Sequence, residues 1–239
     1  MSNPGRVFLS VLKKELHLYF RGTGFFTVSV VFAIGLYFLF RFTYPTDGLT
    51  FNVAVSILWA VHLISSIFSL LASQEWEWEK NALRAIKISG ADGYINFLGK
   101  SIAALITLTI LWAVEITAWV FLFGSPHIKI MAPEGFFSSI AWVFLAQVFF
   151  TGLIASTGIA FLGQITSVLA LHSRFRHVLL FIVFFPLSLP AIITGASYTR
   201  LVYTSQDLFS GMHMLTLESA YAFLYIAAGI ILYDFLWEE

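Results

Sequence analysis

Of the 13 Lys and Arg and 13 Asp and Glu residues in this chain, only Glu115 lies well inside a long apolar run. The rest fall between the runs or at their ends. The apolar runs are Gly24 to Phe42, Thr50 to Ser73, Ser101 to Phe123, Phe136 to Ile165, Val178 to Ala196 and Thr216 to Trp237. Each reaches or approaches the roughly 20 residues that a helix needs to cross about 30 Å of hydrocarbon. The runs are continuously apolar and do not alternate apolar with polar residues, which disfavours strands of a membrane barrel. The pattern predicts an all-α integral membrane protein with six transmembrane helices.

Lys and Arg sort by side. Arg6, Lys13, Lys14 and Arg21, then Lys80, Arg84, Lys87 and Lys100, then Arg174 and Arg176 fall on one side, against Arg41, Lys129 and Arg200 on the other. Positive residues are retained in the cytoplasm. Both termini and the second and fourth loops are therefore expected there, and in a bacterium the location would be the inner membrane.

With 59% hydrophobic residues in 239, little chain remains for a soluble domain, and residues 1–239 read as one transmembrane domain. The absence of Cys excludes disulfides, thiolate metal sites and haem attachment through Cys-x-x-Cys-His. The N-terminus shows no short apolar stretch followed by a small-residue cleavage site, so no removable signal peptide is expected.

Two amphipathic segments lie outside the runs. In the first 21 residues Ser10, Lys13, Lys14, His17 and Arg21 recur at three- and four-residue steps, and Phe8, Val11, Leu12, Leu16, Tyr19 and Phe20 cover the remaining surface. This is a basic amphipathic helix suited to the inner headgroup layer, as a simple anchor or as a packed element that moves with the bundle. The second segment, Glu75 to Ser89, contains no helix breaker, and Gly90 with Asp92-Gly93 supplies its stop. Glu79, Leu83 and Ile86 share one face, and Lys80, Arg84 and Lys87 a neighbouring one. An amphipathic helix tied at both ends to spans is a candidate coupling element for a cytoplasmic partner.

Gly99-Lys100-Ser101 superficially suggests a phosphate loop. The cradle requires Gly, four residues and Gly-Lys-Ser/Thr between a strand and a helix. Gly93 is displaced by one position and no strand precedes it, so no nucleotide site is expected and the chain is not read as an ATPase. No zinc-hydrolase His/Glu spacing and no Gly-x-Ser-x-Gly occurs either, so an intramembrane enzyme has little support.

Glu115 stands about 14 residues, or roughly 21 Å, into its run. An ionised carboxylate there costs several kcal/mol, so it must be protonated, hydrogen-bonded or facing water. It is either a functional polar element or a neutral acid held by a Ser, Thr or backbone carbonyl of a neighbouring helix. In the second run Trp59, His62, Ser66, Ser69 and Ser73 form one polar stripe that must face protein or a cavity. His62 alone is weak evidence for a haem or metal ligand. Gly152, Ser156, Gly158 and Gly163 allow close helix approach in the fourth run, at a dimer or intrabundle seam. Pro186 and Pro190 remove two backbone donors in the fifth run, where a bend or cavity is expected.

From Gly152 to Ala196 the chain resembles the CcmB family, the permease subunits (haem exporter protein B) of the cytochrome c maturation ABC transporter. The resemblance rests on Gly158 with Phe161-Leu162-Gly163, a basic loop at Arg174, and Pro186-Leu187-x-x-Pro190. Glu79 to Ile86, with Lys100 following, is similar to that family's acidic-Gly-small-Leu stretch after the second span, although Asn81 replaces a usual Gly and Arg84 a usual acid. Lys14-Glu15-Leu16 also fits. The resemblance implies an exporter-type permease, non-catalytic itself, that pairs with the cytoplasmic ATPase CcmA, associates with CcmC and serves the haem chaperone CcmE. Haem would be a transported or handled substrate and not a firmly bound cofactor. Two other readings stand beside it: a permease for another substrate, such as a lipid-linked glycan or a drug, and a non-transporting scaffold of the assembly complex.

Overall fold

The computed structural model describes residues 4–21, 25–44, 50–79, 93–124, 139–171, 176–205 and 210–238. Every element among them is helical: α1 (Pro4–Arg21), α2 (Phe25–Thr43), α3 (Phe51–Glu79), α4 (Gly93–Trp119) continued by a π turn (Val120–Gly124), α5 (Ser139–Leu171), α6 (Arg176–Ser205) and α7 (Met212–Glu238). The six helices α2 to α7 are long and apolar enough to cross a membrane.

The most apolar stretch of α3 is 72% buried, against 17% for the corresponding stretches of α2 and α7, so α3 is the central helix and the other two are peripheral. Helices α2, α4, α5 and α6 all contact α3. At one end of the bundle Phe51 of α3 stacks on Tyr203 of α6, with ring centroids 3.5 Å apart, and Trp119 Nε1 donates to the carbonyl of Ala54 at 2.6 Å. At the other end α1 packs along α4, where Val11 lies against Gly99 so closely that a side chain at Gly99 would overlap it. Val11, Glu15, Leu18 and Tyr19 of α1 are buried, so the basic helix is a packed part of the molecule and more than a tether.

Several boundaries move from the sequence expectation. The third span begins at Gly93 and not at Ser101, which places Lys100 inside α4, where it is only 5% exposed. The Gly99-Lys100-Ser101 triplet is thus helical, with Gly99 against α1 and Ser101 buried, and offers no phosphate cradle. The apolar stretch of α4 with its π turn, Gly93–Phe123, spans 31 residues, or about 46 Å, and so exceeds the hydrocarbon thickness. The expected loop from Ser197 to Leu215 is shorter, because α6 continues to Ser205 and α7 starts at Met212. The second span runs unbroken to Glu79, so Glu75 to Glu79 end α3 instead of opening a separate helix. Lys80, Leu83, Arg84, Ile86 and Lys87 lie outside the described residues.

The small residues of α5 serve the bundle itself. A side chain added at Gly152 would overlap the Trp112 ring of α4, at Gly158 the Tyr221 ring of α7, and at Gly163 the Leu70 side chain of α3. Three neighbours therefore use one helix as their common groove, and this stripe is an intrabundle seam and not a dimer face. Helix α6 passes through both Pro186 and Pro190. Carbonyls in that stretch find side-chain donors: Ser188 Oγ bonds the Phe185 oxygen at 2.8 Å, and the Tyr221 hydroxyl reaches from α7 to the Leu187 oxygen at 2.7 Å.

Candidate functional site

The polar stripe on α3 and the acid on α4 meet. His62 Nδ1 lies 2.7 Å from Glu115 Oε2, and both side chains are fully buried. The second imidazole nitrogen, Nε2, is 3.2 Å from Ser156 Oγ on α5. Ser65, one turn along from His62 on α3, donates its hydroxyl to Glu115 Oε1 while also lying 2.8 Å from the carbonyl of Val61. Three helices thus supply one hydrogen-bonded unit near the middle of the bundle.

Aromatic rings wall it. The Trp112 ring lies over His62 with centroids 4.6 Å apart, and Trp59 packs on Trp112 at 5.0 Å. Trp59 is itself held by its indole N–H, which donates to Thr199 of α6 at 3.2 Å. Gly195 on α6 lets Trp59 approach, because a side chain there would overlap the indole. Tyr37 of α2 is fully buried within electrostatic range of Glu115.

The 2.7 Å contact requires one proton between imidazole and carboxyl, whichever atom holds it. Two uncompensated charges in this setting would carry the full desolvation cost, whereas a shared proton with Ser65 and Ser156 completing the hydrogen bonds avoids it. What the unit can do chemically is hold a proton or move it across 2.7 Å between Nδ1 and Oε2. Both imidazole nitrogens already have partners, so His62 can bind a metal or haem iron only after one of these bonds breaks. No group of three or more His, Cys, Asp or Glu among the described residues is placed to hold a metal ion.

The sequence singled out His62 and Glu115 separately; the structure joins them. Ser156 was counted only among the small packing residues, and its hydroxyl proves to be the third member. Ser66 and Ser69 are buried on α3 as the stripe required, and neither hydroxyl has a hydrogen-bond partner among the described residues. Glu115 is also not the only acid inside the bundle. Glu218 of α7 is 0% exposed, six residues after the start of its helix. Its position two residues from the edge of an apolar run made it look interfacial. Glu79, Lys80, Leu83, Arg84, Ile86 and Lys87 are not tied to this centre by anything described: Glu79 ends α3 and the others are outside the described residues.

Six helices long and apolar enough to span, locked by intrabundle aromatic and glycine contacts around a buried polar centre, define a multi-pass helical membrane protein. The family model for the CcmB protein matches residues 6–228, from α1 into α7, and the chain belongs to that family. CcmB proteins are the membrane permease component of a haem-exporting ABC transporter in cytochrome c biogenesis. No curated protein and no solved structure matches the chain.

Proposed function

We propose that this chain is the non-catalytic subunit through which a separate cytoplasmic ATPase of the CcmA type drives haem export, or release of the haem-loaded chaperone, during cytochrome c maturation. The observation that carries this reading is the family match over residues 6–228, which runs from α1 into α7 and includes Glu115 and Glu218. The excess of Lys and Arg on the N-terminal arm and the second and fourth loops supports an inner-membrane orientation with both termini cytoplasmic. With six spans and no nucleotide motif, the chain is half of a transporter, and the working unit is two copies of it with two ATPase subunits. A CcmC-like haem-handling protein and a CcmE-like chaperone complete the set of partners.

In this reading the ATPase seats on the segment that follows α3. Leu83 and Ile86, on the face that Glu79 shares, fill an apolar groove on it, and Lys80, Arg84 and Lys87 pair with acids at its rim. Buried apolar anchors carry most of an interface's energy, about 2 kcal/mol or more each, and rim charges carry less and are screened by salt. The experiment is copurification of the ATPase with wild type and with the Leu83→Ala/Ile86→Ala double variant, alongside cytochrome c maturation in cells. Loss of both with an intact membrane fold is expected. A double variant that retains the ATPase and matures cytochrome c at the wild-type level would remove this segment from the coupling route.

A further inference from the structure

The acid on α7 is held differently from Glu115. Glu218 is 0% exposed, and neither of its carboxyl oxygens has a hydrogen-bond partner among the described residues. It sits where α5, α6 and α7 come together, near the end of the bundle formed by Ser210 and Gly211. From α6 it faces the Tyr198 phenol, which is hydrogen-bonded to the uncharged Gln147 side chain of α5. Arg200, two residues beyond Tyr198, turns instead toward α3, where its guanidinium meets Ser56 Oγ at 2.5 Å. On α7 itself His213 is exposed one turn nearer the helix start. The ionisable residues of α4, the remaining helix against α7, are engaged elsewhere: Glu115 with His62, and Lys100 toward the α1 end. There α4 meets α7 through Phe97 and Gly229, about 16 Å along α7 from Glu218.

Among the described residues, therefore, no cation offsets Glu218 and no donor binds its oxygens. An ionised carboxylate without either is the most costly group a protein interior can hold, whereas its neutral acid form avoids the charge penalty. The same lack of partners means that the closed arrangement does nothing to keep the group once water arrives. We propose that Glu218 is a proton-loaded carboxyl group at the α5–α6–α7 seam, and that parting of this seam releases its proton to entering water. On opening, the O–H bond of the acid breaks, the proton passes to water at the Ser210–Gly211 end, and the hydrated carboxylate remains. Reclosing requires the carboxylate to take a proton back. The opening of this end of the permease is thereby coupled to proton exchange, independently of what is transported.

The test uses the full chain in lipid nanodiscs and the infrared band of protonated carboxylic acids. At neutral pH wild type should show a carboxylic acid band that Glu218→Gln removes. That band should exchange with deuterium slowly, because the seam is closed. Two variants pry the seam from different sides. Gly158→Leu drives Tyr221, and with it α7, away from α5, and Gly211→Ala presses on the Tyr198 ring that faces the carboxyl. In whichever of them assembles, exchange should be faster by about tenfold or more, as for a locally opened region, and the band should be lost at neutral pH and return on acidification. A Glu218→Gln spectrum identical to wild type at neutral pH means the group is ionised in the closed state and overturns the proposal. So does a Glu218 band whose exchange and pH response are the same with and without the wedge.

Discussion

Truncating Glu115 to Ala tests whether the His62–Glu115 pair holds three helices together. The substitution leaves His62 Nδ1 without its 2.7 Å partner in a site with no water access, and opens a void beside Ser65. Ser65 loses little, because its hydroxyl falls back on the Val61 carbonyl at 2.8 Å. The cost therefore concentrates on the imidazole, and removing one member of a buried pair typically costs about 3–5 kcal/mol. Glu115→Gln keeps the volume, and its amide can accept from Ser65 and donate to Nδ1, so it should cost far less than the alanine truncation, at most about 1 kcal/mol. His62→Ala should cost nearly as much as Glu115→Ala, and the double variant little more than either, because the second truncation removes a group already orphaned. Equilibrium unfolding in mixed detergent micelles over the four-member cycle gives the coupling, expected at about 3–4 kcal/mol because the double costs little more than one single. If the single losses simply add, with coupling below about 0.5 kcal/mol, the pair does not interact and the account of the centre fails.

Gly152→Val should destabilise the bundle by about 1–3 kcal/mol or prevent assembly, since any side chain there meets the Trp112 ring; pairing it with Trp112→Ala should recover part of the loss in the same unfolding assay. Trp119→Phe removes the indole donor to Ala54 and leaves a cavity where the rest of the fully buried indole packed, for a loss of about 2–3 kcal/mol. Lys87→Ala should weaken ATPase copurification modestly and more so at high salt, in contrast to the complete loss expected for Leu83→Ala with Ile86→Ala. Native mass spectrometry of the complex should show two copies of this chain with two ATPase subunits; a stable one-to-one complex with full ATPase activity would refute the half-transporter reading.

The spans were legible because continuous apolar runs have few other solutions, and the α3 stripe was legible because His62, Ser66 and Ser69 share one helical face. What the sequence did not carry was which helices meet. Glu115 required some polar partner, but nothing in the order of residues selected His62 over the many hydroxyls on other spans. Ser156 was hidden for the same reason: beside Gly152 and Gly158 it reads as a small residue, and only its placement opposite an imidazole makes the hydroxyl count. The boundary errors share a cause too. Hydropathy detects the part of a helix that sits in hydrocarbon, and α4 and α6 outrun it, so Lys100, Tyr198 and Arg200 were assigned to loops although they stand on helices. Glu218 was misjudged by that logic, since an acid near the edge of an apolar run looks solvated until a neighbouring helix covers it.

One consequence follows from the unbroken course of α3. From Glu79 to His62 the helix runs 17 residues, about 26 Å, with no glycine or proline in between. Hemmed in by α1, α2, α4, α5 and α6, its core cannot swing sideways without repacking its neighbours, so the motions open to it are sliding along its axis and turning about it. Either one reaches the His62–Glu115 pair undiminished, because a stiff rod does not absorb displacement along its length. The contact is directed between helices, so a slide of about 3 Å, two residues of rise, would stretch it from 2.7 Å to about 4 Å, beyond hydrogen-bonding length. The polar centre is therefore the point at which a push on the far end of α3 is felt as a broken bond.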